Sequence, residues 1–171
     1  KLESQGSKDS DLYERLSELS NALNDEKSLV RYAKKNAEIY PYERQYFNLG
    51  FAYFQVGDYN NVIKSQKEAI EKRKGSTFIG SFYRQLGRAY MKLARDQTAE
   101  RTFEAGLKAV DGVIADRGKA DGTLVSTEEY RRLLDDKIGM LISLKSLHQT
   151  YRADDKLQKV DRQLKELGYT K

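Results

Sequence analysis

The residues able to do chemistry are few and poorly grouped. The chain has no Cys, so disulfides, thiolate metal sites and cysteine nucleophiles are excluded. Its one histidine, His148, has no Glu or His at zinc-ligand spacing along a helix, and is expected at a helix end facing a neighbour or water. The carboxylate pairs Glu128-Glu129, Asp135-Asp136 and Asp154-Asp155 are adjacent in sequence. Neighbours in a helix point in different directions, so these pairs suit helix starts and solvated faces better than a shared proton. Asp116 to Gly122 has the acids and glycines of a calcium loop, but Arg117 and Lys119 are cationic and Thr127 stands where the closing Glu belongs. No strand precedes those glycines, so they make no phosphate cradle. The expectation is a chain that is not an enzyme and carries no cofactor or metal.

A different chemistry lies in two stripes of side chains. Phe47, Phe51 and Phe54 recur at i, i+4 and i+7, beside Arg44, Asn48 and Gln55. The helix bearing them also carries Tyr46, Leu49 and Tyr53 on its other side, so it is apolar nearly all round and must be covered on both. Arg84, Arg88 and Lys92, with Ser81 and Met91, form a basic stripe. Asp11, Glu14, Glu18, Asn21 and Ala22 form an acidic one.

The elements that position these stripes are helical. The 171 residues contain 12 Tyr and 6 Phe but a single proline, Pro41, which favours long helices over turn-rich β structure. No apolar run reaches the ~18 residues of a membrane span, so a soluble chain is expected. The net charge of +5 is concentrated in residues 61–120, with 13 basic and 7 acidic side chains. Interleaved acids mark most of this as solvated helix faces.

Self-similarity organises the chain. Tyr46-Phe47-Asn48-Leu49-Gly50-Phe51-Ala52-Tyr53 returns as Tyr83-Arg84-Gln85-Leu86-Gly87-Arg88-Ala89-Tyr90, followed by Ala99 and Phe103. A mid-helix glycine costs about 1 kcal/mol relative to alanine, and the reason for Gly50 and Gly87 is room for a second helix to approach. Gly57-Asp58 stops one helix, and Asp58 can cap the next. This pattern resembles the tetratricopeptide repeat (TPR), with Tyr for Trp at its first position, Leu-Gly, Tyr, then Ala-x3-Phe. The first copy departs at Val62 and Gln66, and neither copy has the closing Pro.

The resemblance implies an all-α fold of tandem antiparallel helical hairpins stacked as a right-handed superhelix. The expected layout is a flexible tail over 1–10 and a single domain over 11–168. Its repeats fall at about 11–41, 43–75 and 80–114, with a loop over 116–126 and a diverged repeat or cap over 127–168. In the degenerate first repeat Leu12, Leu16, Leu19 and Leu23 give the helical stripe. Residues Leu133, Leu134, Ile138, Leu141 and Ile142 give the apolar side of the long helix after the loop, and Asp154-Asp155 is expected to cap the last.

It also implies that ligands bind on the concave surface lined by the repeats' first helices. The stripes then make a groove running from acidic through aromatic to basic. Its expected peptide-binding residues are Arg44, Phe47, Asn48, Phe51, Phe54, Arg84, Arg88 and Lys92, with the phenylalanines as anchors and the cations meeting an acidic end. Asn48 and Arg84 fall where one TPR subclass clamps a C-terminal carboxylate, but Glu14 and Glu18 would repel it. Three occupants stay open for the phenylalanines: a peptide, the chain's own helices, or a second copy in a homodimer. The function expected is a protein-interaction adaptor or scaffold. The alternatives are a secretion-type chaperone and, through Tyr83, Arg84, Arg88 and Tyr90, nucleic-acid binding. The chain does not open on Met and is expected to be processed or partial, which leaves the compartment open between cytoplasm and export.

Overall fold

The computed structural model describes residues 2–119 and 127–169. Among them lie eight helices and no strand: α1 (Leu2–Ala22), α2 (Glu26–Ile39), α3 (Glu43–Gln55), α4 (Tyr59–Lys72), α5 (Ile79–Lys92), α6 (Asp96–Lys119), α7 (Thr127–Thr150) and α8 (Asp154–Glu166). Successive helices pack pairwise, and α3, α5 and α7 also touch one another in series. The odd-numbered helices therefore share one side of the stack. Among the described residues no helix is long and apolar enough to cross a membrane.

The hairpin turns follow local chemistry. Asp58 accepts a hydrogen bond from the Asn61 amide at 3.1 Å and so caps α4. Gly57 before it has φ +75°, a left-handed conformation that glycine adopts without strain. In the next hairpin Ala94 takes that conformation at φ 54° and α6 starts at Asp96. The last helix departs from expectation: its cap position is Ala153, which offers no side-chain acceptor, and Asp154 and Asp155 sit in the first turn. There their charge still favours the helix N-terminus.

Two glycines set the hairpin spacing. A Cβ on Gly87 would lie 2.3 Å from the Phe103 ring of α6, and one on Gly50 would lie 1.9 Å from Gln66 of α4. Ser17 is the small buried residue at the matching position of α1. The main core joins Tyr46, Phe82, Leu86, Tyr90, Phe103, Leu133, Met140 and Leu164, among others. A separate, smaller cluster joins Leu29, Ala33 and Ala37 of α2 to Leu49 and Ala52 of α3.

Four expectations are corrected. The chain is helical from Leu2, where a tail was expected over 1–10; Glu3, Gln5 and Lys8 are good helix formers and no proline interrupts them. The helix after Phe103 continues to Lys119, past the expected loop start at 116, and the rest of that loop, 120–126, lies outside the described residues. On α7 the buried side is Leu133, Met140, Leu141, Leu144 and Leu147, while Ile142 is 39% exposed. On α1 the leucine stripe does not enter the core. Leu12, Leu19 and Leu23 are exposed, because the side that meets α2 carries Ser17 and Ser20 instead.

Candidate partner-binding groove

Helices α1 and α3 enclose a concavity of about 370 Å³. Glu14, Glu18 and Asn21 line it from α1, and Phe47, Asn48 and Phe51 from α3. The acidic and aromatic stripes therefore share one wall-to-wall space.

The expected site residues divide by what already holds them. Glu14, on α1, receives the Arg44 Nε at 2.8 Å and the Asn48 Nδ2 at 3.2 Å. Arg44 and Asn48 thus tie α3 to α1, and the Glu14 charge is spent within the chain. The Phe47 ring packs 5.9 Å from Phe78, and its backbone oxygen accepts from Gln85 Nε2 of α5 at 3.2 Å. Phe54 meets Tyr59 edge-on at 5.3 Å. The Arg88 guanidinium of α5 lies 4.7 Å above the Phe54 ring. That burial, with Arg84 nearby, pulls Arg88 below its usual value, yet a guanidinium stays charged. Phe51 differs from both neighbours in the stripe. It is 41% exposed and its ring faces the concavity.

Of the three occupants considered for the phenylalanines, internal packing takes Phe47 and Phe54 and leaves Phe51. Lys92 ends α5 in solvent.

Arg84 points to a residue the sequence did not single out. Its Nη1 lies 3.4 Å from Asp136 of α7, and the guanidinium rests on Gly139, where a Cβ would come within 2.6 Å of Nε. Asp136 is 4% exposed and receives the Ser81 hydroxyl. Burial raises its carboxyl above the usual range, against the Ser81 hydrogen bond and the Arg84 and Arg132 charges. The expectation that Asp135-Asp136 forms a solvated pair holds for exposed Asp135 and fails for Asp136. A signal was available: Leu133, Asp136 and Met140 are spaced as one helix face, and two of the three are apolar.

A larger concavity, about 530 Å³, lies where the start of α6 meets the end of α7. Several of its polar groups pair with one another, while His148 Nδ1 is buried without a hydrogen-bond partner. Glu100 lies 3.0 Å from His148 Nε2 and accepts from Lys156 at 2.7 Å, and Tyr151 donates to Asp96 at 2.6 Å. Lys156 and His148 hold the Glu100 carboxyl below its usual range. His148, expected at a helix end, is there and buried against this carboxylate.

With this geometry in hand, likeness to known proteins can be stated. The crystal structure of MamA, a TPR-like superhelical protein, superposes with a TM-score of 0.52 over 94% of this chain and 91% of that one, at 15% identity. The fold is TPR-like. A 63-residue stretch, 37% of the chain, is 33% identical to human protein O-mannosyl-transferase TMTC2. The match spans 8% of that protein's length. No family model matches the sequence.

Proposed function

We propose that the chain is a TPR-type interaction module, without enzymatic activity, that binds a protein segment in the concave groove. The observation that carries this reading is Phe51. A phenyl ring left 41% exposed on a rigid helix, inside a concavity walled by two neighbouring elements, is the arrangement of a binding anchor. Phe54 is packed against Tyr59 and Arg88, so the groove presents Phe51 with the half-buried Phe47 beside it rather than three open rings.

Charge sets the direction of the bound segment. Arg88 and Lys92 on α5 meet an acidic end, while exposed Glu18 and Asn21 on α1 meet amide donors or a cation at the other. Arg44, Asn48 and Arg84 act as positioning residues, since Glu14 and Asp136 already engage them. The TPR-like fold supports protein partners. Tyr90 is buried and Tyr83 is half-buried against the core, so this pair is poorly placed to stack bases, which favours protein over nucleic acid.

The test is selection from a displayed peptide library. The native chain should enrich segments with a large apolar residue followed by Asp or Glu. Phe51→Glu should weaken the selected peptides at least about tenfold, roughly 1.4 kcal/mol, and Arg88→Glu should shift the preference away from acidic ends. Selection of the same peptides by native chain and Phe51→Glu would sink the reading.

A further inference from the structure

The outer face of α1 is built for burial, and among the described residues nothing packs upon it. Leu12 and Leu19 on α1, and Leu23 in the turn that directly follows it, are 53%, 55% and 69% exposed, and Leu16 between them is half-buried. These leucines hold the register that Gln45, Leu49, Ala52 and Val56 hold in α3, and that Phe82, Leu86, Ala89 and Leu93 hold in α5. In α3 and α5 those positions pack on the second helix of the preceding hairpin: Leu49 and Ala52 join Leu29, Ala33 and Ala37 of α2, and Phe82 and Leu86 join Ala69 of α4. The fold thus prepares α1 for a helix at that place. Spacings of four, three and four make the stripe a coiled-coil seam.

We propose that this seam docks against α1 of a second copy of the chain, antiparallel about a two-fold axis between Ser17 and Glu18. The order of the leucines argues for that occupant. A two-fold at that point sets Leu12 opposite Leu23 and Leu16 opposite Leu19 of the other copy, so the stripe is its own complement, as a closed dimer requires. The flanking side chains fit, because Arg15 then lies beside Ala22 and Tyr13 beside Ser20, with no like charges facing. A head-to-tail stack would instead set α8 on the leucines. The exposed side of α8 carries Asp154, Asp155, Gln158, Lys159, Asp161 and Arg162, and offers them no apolar surface. The Phe51 groove takes no part in this contact.

Sedimentation velocity of the whole 171-residue chain tests this, over loading concentrations from about 1 μM to about 1 mM, where small interfaces associate. The native chain should pass from monomer to dimer across that range. Leu19→Glu, and separately Leu23→Glu at the most exposed position of the stripe, should remain monomeric with native helicity by circular dichroism. Phe51→Glu should dimerise like the native chain. A spin label on Asp11→Cys should report pairs separated by about 20 Å along the helix axis in the antiparallel arrangement, rather than side by side. A native chain that stays monomeric throughout overturns the proposal. So does a dimer that survives either Glu variant, one lost in Phe51→Glu, or side-by-side labels.

Discussion

Replacing Gly87 by alanine tests the idea that the glycines exist to let paired helices touch. The added Cβ would stand 2.3, 2.6 and 2.7 Å from three atoms of the Phe103 ring. That ring is fully buried, so it cannot swing aside without pushing on the rest of the core. Either α5 and α6 part or Phe103 leaves its rotamer, and overpacking of this kind costs about 1–3 kcal/mol. Alanine also gains about 1 kcal/mol over glycine in a helix interior, which partly offsets the loss. Gly112 on α6 supplies the control, since a Cβ there meets nothing within 4 Å. Gly112→Ala should therefore melt above the native chain and Gly87→Ala at or below it. The gap between the two alanine variants is the packing cost alone, about 1–3 kcal/mol, or roughly 2–12 °C for a domain of this size. Thermal unfolding by circular dichroism measures it, and adding Phe103→Leu to Gly87→Ala should recover part of the loss. If Gly87→Ala gains as much as Gly112→Ala, the ring does not occupy the space and the close-approach argument is wrong.

Two further outcomes concern buried charge. The Glu100 carboxyl is depressed in the folded chain, so it contributes stability above the usual carboxylate range and loses it as pH falls through the folded value. Glu100→Gln should cost about 0.5–1 kcal/mol near neutrality, and the cost should fade as pH falls through the depressed folded value, measured by urea unfolding across pH. Asp136 runs the other way: its raised carboxyl makes the folded chain bind more protons than the unfolded one, so its contribution declines as pH rises through and above the usual carboxylate range. Asp136→Asn should flatten that decline in the same unfolding series, and an unchanged pH profile would count against the burial argument.

The repeat was legible because its signature residues answer a geometric demand. Tyr46 and Tyr90 are buried, Gly87 sits where a Cβ would strike the buried Phe103 ring, and Gly50 sits where one would displace the Gln66 and Gln85 amides. Such demands leave residue types at fixed spacing, which a sequence displays directly. The stripes were legible, and Phe47, Asn48 and Phe51 line one concavity with Glu14 and Glu18, while Arg84, Arg88 and Lys92 lie outside it. What spacing could not show was how those stripes are spent. Arg44 reaches Glu14 across thirty residues and Arg84 reaches Asp136 across fifty-two. Both pairs depend on how one hairpin is set against the next, which no local pattern encodes. The leucines of α1 were misread for a related reason. Periodicity shows that a helix has an apolar side, and does not show whether its own hairpin partner covers it. Ser17 and Ser20, on the adjoining side of the helix, hold the buried seam with hydroxyls returned to the α1 backbone.

The division of the buried side chains into two clusters bears on how firmly the first wall of the groove is held. The first hairpin is held by the small cluster of Leu29, Ala33, Ala37, Leu49 and Ala52, together with polar links such as Ser10 to Asn36 and Gln45. The rest of the stack shares the large one. In an array whose units contact only their neighbours, the end unit with the least apolar attachment swings free first, well before the whole chain unfolds. That unit carries Glu14 and Glu18, one entire wall of the groove. A segment bound across α1 and α3, as proposed, would keep the hairpin shut and spend part of its binding energy doing so. By the same linkage, whatever stiffens α1 from outside would raise the affinity proposed for the groove without touching the segment in it.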